Sequence, residues 1–219
     1  MPFLKALKTS ITKTRIENCK RNGSRHATFS PSTPLKDCYW GDFKNDKKEG
    51  KGTQLTRNNW LYEGDWSNGR RNGFGVLSKV SKIGEIWKFY SGDWVVGKKQ
   101  GFGRYWYPDG SFYEGNFLQN KRHGFGRQWN RDGGFYQGTW KDDLNHGNGI
   151  FIQANGNRYE GEFLGGKKDG RGIFYHLDSG QMQEGCWKND ICVISTVEDI
   201  PWRQSANYPT PYPIPEVCL

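Results

Sequence analysis

The amino-acid sequence predicts an all-β protein: an elongated single-layer antiparallel sheet of β-hairpin repeats, repeat-like rather than globular, with irregular extensions at both ends. Three observations carry this. A 23-residue pattern recurs without a gap over residues 113–135, 136–158 and 159–181, and a fixed period of this length marks a repeat architecture. Only 34% of the chain is hydrophobic, yet it holds 10 Trp, 11 Tyr, 13 Phe and 30 Gly, so a thick aliphatic core is not available. Within each repeat, apolar residues alternate with period two between turn dipeptides, as in short strands.

Full repeats start at Tyr39, Tyr62, Tyr90, Tyr113, Tyr136 and Tyr159, and a half repeat begins near Gln183. The chain therefore divides into a basic arm (1–38), a repeat domain (39–190) and a proline-rich tail (191–219). The second repeat is 28 residues long, and its extra five, within SKVSKIGEIWKF, are expected to lengthen a hairpin loop. The first strand of each repeat reads Tyr-x-Gly-x-Trp/Phe, which puts both rings and the glycine on one face. A turn follows, as at Asn68-Gly69 and Val96-Gly97. The second strand opens Gly-x-Gly, as at Gly73/Gly75 and Gly101/Gly103. Asp109-Gly110, Asp132-Gly133 and Asn155-Gly156 then read as two-residue hairpin turns with both residues at positive φ. Nineteen of the 30 glycines occupy these repeat positions. Glycine weakens a strand unless something must approach its backbone, and the repeated rings are the expected visitors. Thirteen strands follow from this reading.

The extensions carry no repeat. Phe3, Leu7 and Ile11 fall at helical spacing among Lys5, Lys8, Lys13 and Arg15. That spacing suits a targeting helix or a basic arm that packs on its own sheet or on a partner, and the modest arginine content favours the arm. Pro201, Pro209, Pro211, Pro213 and Pro215 exclude a regular helix or central strand and suggest an extended tail. That tail is expected to run free or to dock on the last repeat, whose edge at 183–187 would otherwise invite aggregation.

The formal charge is +9, held mostly by the arm and the repeats. Positions nine and ten of five repeats are basic: Lys47-Lys48, Arg70-Arg71, Lys98-Lys99, Lys121-Arg122 and Lys167-Lys168; the fifth repeat has Leu144-Asn145 instead. Such a column reads as a binding edge for acidic partners or as solvated turn residues. A second candidate surface is aromatic: Phe74, Phe102 and Phe125 share one repeat position, and Trp106 and Trp129 another. Alternation puts them opposite the glycine face, near Glu63, Asp65, Glu114, Glu160 and Glu162, where they either bind a partner helix or strand or simply close the sheet.

Catalytic signals are absent. His26, His123, His146 and His176 are scattered, and no HExxH, GxSxG or GxxxxGK[ST] occurs. Cys19, Cys38, Cys186, Cys192 and Cys218 show no CxxC spacing, so neither a metal site nor a disulfide framework is expected. No cofactor is expected, and the chain reads as a non-enzyme. Nucleic-acid binding fits the composition, but no motif for it appears and the aromatics recur at packing spacing.

The phrase Tyr-x-Gly-x-Trp-x-x-Gly-Lys/Arg-x-x-Gly-x-Gly at this interval resembles the MORN repeat (membrane occupation and recognition nexus) over residues 39–190. Departures are Gln183 for Tyr in the seventh repeat, Leu144-Asn145 in the fifth and Asp46 for Gly in the first. The resemblance implies a non-catalytic scaffold in the cytoplasm or cytoskeleton. It further implies a sperm-flagellar or ciliary setting, since radial-spoke components carry such repeats. The partners implied are axonemal or other cytoskeletal proteins with acidic surfaces. The family name also implies an alternative: a peripheral binder of anionic, phosphoinositide-containing membrane, with the basic column as its contact.

Overall fold

The computed structural model describes residues 23–29 and 37–200; the expected N-terminal helix and the proline cluster lie outside them. The described residues form one antiparallel sheet of 15 strands whose spatial order equals their chain order. The strands are β1 (Gly23–Phe29), β2 (Asp37–Lys44), β3 (Lys47–Leu55), β4 (Trp60–Ser67), β5 (Arg70–Val80), β6 (Ile86–Val95), β7 (Lys98–Trp106), β8 (Phe112–Leu118), β9 (Lys121–Trp129), β10 (Phe135–Lys141), β11 (Leu144–Ile152), β12 (Arg158–Leu164), β13 (Lys167–His176), β14 (Gln181–Lys188) and β15 (Ile191–Asp199).

The all-β, single-sheet expectation holds, but the sheet runs one strand further at each end. β1 lies within the segment read as an arm. It is the second strand of an incomplete repeat: Gly23 pairs with Phe43 as Gly50 pairs with Trp66. The clue was Lys20-Arg21-Asn22-Gly23, which matches Arg70-Arg71-Asn72-Gly73. β15 completes the seventh hairpin, so the half repeat is a whole one. Its strand ends at Asp199, before the first proline of the tail.

Each tyrosine lies across glycines. The Tyr62 hydroxyl and ring occupy the space a Cβ would need at Gly75, and its hydroxyl also crowds Gly64; the same holds for Tyr39, Tyr90, Tyr113, Tyr136 and Tyr159 in their repeats. The hydroxyl then donates to the carbonyl three residues on, at 2.9–3.2 Å. That bond is reachable because the pairing to the next strand bulges just after each glycine, as between Gly64 and Trp66. The bulge turns Asp65 toward the next strand, where its carboxylate accepts from the Phe74 N–H at 3.1 Å. Gly73 (φ +90°) makes room for the Asp65 side chain.

The rings form an unbroken zigzag. Every repeat tyrosine meets the Trp or Phe of its own strand and that of the next repeat, from Tyr39–Phe43 to Tyr159–Trp187. Centroids are 5.0–5.4 Å apart and planes 79–90° apart. These are edge-to-face contacts of about 0.5–1.5 kcal/mol each beyond area burial. The opposite face holds a smaller core of Phe112, Trp129, Phe135 and Ile152.

Two turn expectations need correction. At Gly110, Gly133 and Gly156 only the glycine has positive φ. The preceding Asp or Asn instead bonds a backbone N–H two residues on, as Asp109 does with Ser111 at 2.8 Å. These are wider turns ending in a left-handed glycine, because the acid's own side chain favours that loop over a two-residue turn. The two-residue turns with paired positive φ stand at the other end of the strands, at Asn68-Gly69, Gln119-Asn120, Asp142-Asp143 and their equivalents. The five inserted residues of the second repeat do not enlarge a loop. They lengthen β5 and β6 to 11 and 10 residues, against 9 and 7 for β7 and β8. A bulge between Leu77 and Ser78 absorbs the odd residue, and side chains keep their faces.

Gly75→Ala is expected to destabilise the protein by about 2 kcal/mol, the cost of overpacking a filled core. Gly69→Asn, at a turn with open space where four other repeats carry Asp or Asn, should stay within about 0.5 kcal/mol of the parent. Urea unfolding of the two variants checks the contrast.

Candidate functional site

All five basic pairs open a second strand directly after the two-residue turn, at β3, β5, β7, β9 and β13. Alternation sends the two members of a pair in different directions. Lys47, Arg70, Lys98, Lys121 and Lys167 are exposed. Lys48, Arg71, Lys99, Arg122 and Lys168 are half-buried and lie on the aromatic ladder. Lys48 stands 4.4 Å over Trp66, Arg71 4.7 Å over Tyr62, Lys99 4.1 Å over Tyr105, Arg122 4.1 Å over Trp140 and Lys168 4.6 Å over Trp187. A cation over a ring face is attracted by its quadrupole, by about 0.5–2 kcal/mol, and its stem covers apolar surface. The expected ten-residue basic column is therefore split: five cations roof the core and five face outward.

The roofing residues also join repeats through the backbone. The carbonyl of Lys48 accepts from Gly69, that of Arg71 from Gly97, Lys99 from Asn120, Arg122 from Asp143 and Lys168 from Asp190, at 2.8–3.0 Å. Asn145 makes the same bond to Gly166 at 2.9 Å. That explains why the fifth repeat can lose its cations without losing its place in the sheet.

Burial shifts the groups under this roof. Desolvation lowers Lys48 and Lys99 to about 8 and lowers Lys168 and Arg71 in the same sense. Desolvation, with Asp42 beside it, raises Tyr39 to about 12. Tyr159 reaches about 12 for the same reason, helped by Glu162, and Tyr62, Tyr90, Tyr113 and Tyr136 are raised further.

The five aromatic residues of the second candidate surface lie on the face opposite the ladder, in two rows. Phe74, Phe102 and Phe125, at the same position of three successive repeats, are 54%, 52% and 50% exposed. Trp106 and Trp129 belong to the smaller core, where Trp129 is 7% exposed, so they close the sheet and are not a free surface. Charged residues run between the rows. Glu114 pairs with Arg104 at 2.7 Å, Asp65 with Lys51 at 2.5 Å and Glu160 with Arg158 at 2.9 Å. The acids expected beside the phenylalanines are present, yet those three are paired within their own face. Further along, Glu160, Glu162, Glu184 and Arg171 line a shallow open groove of about 550 Å³.

His123 and His146 stand in equivalent strands, and among the described residues no cluster of three His, Cys, Asp or Glu side chains is placed to hold a metal. Among those same residues, no helix is long and apolar enough to cross a membrane.

A ladder of rings on glycines, roofed by cations and repeated along one open sheet, defines a class of hairpin-repeat proteins. The MORN repeat profile matches residues 39–60, 62–81, 90–112, 113–135, 136–158 and 159–178. The chain belongs to the MORN-repeat family. It is 52% identical over 221 residues to MORN repeat-containing protein 3 of Xenopus laevis, an alignment spanning 99% of this chain and 91% of that protein. The hairpin β14–β15 lies beyond the profile match, in keeping with Gln183 in place of the ladder tyrosine.

Lys99→Ala is expected to cost about 1–2 kcal/mol in stability through lost ring contact and packing, and Lys98→Ala to change little; thermal melts of both variants test the division. A pH profile tests the tyrosines. Their folded pKa values lie above the unperturbed 10.0, reaching about 12 for Tyr39 and Tyr159. The stability they contribute is full below pH 10 and falls as pH rises through 10 to 12, because only the unfolded chain ionises early. Of the 11 tyrosines in the chain, the phenolate absorbance of these six should therefore rise together with loss of strand circular dichroism. Ionisation of all 11 in a still-folded sheet would contradict the buried ladder.

Proposed function

We propose that the protein is a non-catalytic scaffold that binds protein partners along the repeat sheet, as a structural component of the sperm flagellar or ciliary axoneme such as the radial spoke. The observation that carries the interaction reading is the row Phe74, Phe102 and Phe125. Three half-exposed rings recur one repeat apart on a face whose neighbouring rings are buried. With two strands per repeat they stand about 10 Å apart, and spaced aromatic anchors are the usual energetic centres of protein interfaces. The outward cations Lys47, Arg70, Lys98, Lys121 and Lys167 supply a separate, mainly basic edge, interrupted where Lys121 pairs with Asp142 at 3.5 Å, and suited to an acidic partner. The axonemal setting rests on the family's occurrence in radial spokes.

The second reading, a peripheral membrane binder, draws on those same five cations. Each could add about 1 kcal/mol at an anionic bilayer. Only half of the original column is available for this, since the other five roof the aromatic core.

Salt-washed, demembranated flagella separate the two readings. A scaffold stays with the axonemal fraction, and Phe74→Ser/Phe102→Ser/Phe125→Ser lowers its retention at least tenfold without changing its melting temperature. A membrane binder is released by detergent alone and co-sediments with phosphoinositide vesicles in a salt-sensitive manner. Charge reversal at Lys47, Lys98 and Lys121 then abolishes that binding. Release by detergent would overturn the scaffold proposal.

A further inference from the structure

The row of Phe74, Phe102 and Phe125 runs across the strands, and polar residues separate its rings. Phe74 pairs with Asp93, Phe102 with Asn116 and Phe125 with Thr139, and all six are exposed. Asp93, Asn116 and Thr139 are shorter than the rings they separate, so the rings stand as three distinct anchors.

The charges beside the row are mainly negative once the ion pairs of this face are set aside. Lys51 is held by Asp65 at 2.5 Å and Arg104 by Glu114 at 2.7 Å. Asp93 lies between the first two rings, and Glu63 lies opposite Val76, two residues along β5 from Phe74. Both acids are exposed, and neither forms an ion pair among the described residues. Past the third ring, Glu162 and Glu184 outnumber Arg171 in the shallow groove. The exception is Arg127, which bonds Gln137 at 3.1 Å. The aromatic face therefore calls for a basic partner, whereas the turn edge calls for an acidic one.

The form of that partner follows from the backbone. Strands inside a sheet spend their N–H and C=O groups on their two neighbours, so the face has none to offer. A segment pressed onto phenylalanine rings must satisfy its own backbone. A helix does so, and an extended or polyproline segment does not. Seven helical residues rise about 10.5 Å, close to the ring interval of about 10 Å, so apolar residues at i, i+7 and i+14 meet the three rings. An apolar stripe roughly 100° wide follows the turn that sheet twist gives to successive rings.

We infer that the row seats a basic amphipathic helix lying across the strands, with apolar residues at seven-residue intervals on Phe74, Phe102 and Phe125 and with Lys or Arg reaching Glu63 and Asp93. The inference rests on the reading of this row as partner-binding and adds the class of partner.

Two synthetic three-heptad peptides, titrated calorimetrically into the full-length protein, test it. Both carry leucine at the first and fourth places of each heptad; the flanking places are Lys in one and Glu in the other. The basic peptide should bind at least tenfold more tightly and gain helical circular dichroism on binding. Phe74→Ser/Phe102→Ser/Phe125→Ser should weaken it at least tenfold. Glu63→Gln/Asp93→Asn, which installs the residues that Gln137 and Asn116 supply at the equivalent positions, should bring the two peptides within about threefold of each other, with the melting temperature of the parent. Failure of the basic peptide to bind, equal or tighter binding of the acidic one, or binding without helix gain would overturn the inference. Any of these results, with axonemal retention still lost in the phenylalanine variant, leaves the scaffold reading standing. Unchanged retention in that variant removes this face from the scaffold reading too.

Discussion

A tyrosine ring laid flat on the glycines of two strands is the contact on which the rest of this sheet depends. It lets a single layer bury its own aromatic residues. Tyr39, Tyr62, Tyr90, Tyr113 and Tyr159 have no exposed surface, although among the described residues no second sheet or helix covers them. The glycines cost conformational entropy, about 0.5–1 kcal/mol each in a strand. The ring contacts, the hydroxyl bond and the buried area offset that cost. The bulge, the left-handed Gly73 and its equivalents, and the turned-in Asp65 all follow from bringing the hydroxyl to the carbonyl three residues on.

The ladder also dictates what its cations do. A single sheet has nothing to put on top of its rings, so long basic side chains serve as the cover. Adjacent basic residues of identical appearance then diverge: Lys98 meets solvent and Lys99 lies over Tyr105. The opposite face needs no such cover where it is polar, and there Phe74, Phe102 and Phe125 remain open. The molecule therefore presents two unlike surfaces, a mainly basic edge along the turns, interrupted at Asp142, and an aromatic one across three repeats.

Much of this was legible in the chain. The period of 23, the Tyr-Gly-Trp alternation and the Gly-x-Gly pairs specify strand order, register and which rings are buried. The split of each basic pair was not legible, because alternation says which way a side chain points but not whether a ring waits beneath it. Trp106 and Trp129 were placed on the correct face, yet their burial depends on Phe112 and Phe135 from neighbouring strands. The outermost strands were missed for a related reason. β1 and β15 keep the pairing of a second strand but not its Gly-x-Gly, which reads Gly23-Ser24-Arg25 in one and Val193-Ile194-Ser195 in the other. Asp109-Gly110 misled in the opposite direction, since the same dipeptide suits two turns and its side-chain bond to Ser111 decides between them.

The strict neighbour-by-neighbour order of the strands also has a mechanical meaning. The hydrogen bonds of the sheet run along its long axis. A pull between its two ends therefore loads them one strand at a time, as a zip is opened, rather than all together in shear. Most hairpins that peel away free 23 residues, the second 28, so each step releases about 80–95 Å of extended chain at roughly 3.4 Å per residue. The remaining repeats keep their own ladder contacts. Such a sheet yields in steps and can re-form hairpin by hairpin, because each repeat needs only its neighbour to fold against. Repeated tension along that axis would open single hairpins without losing the whole fold at once.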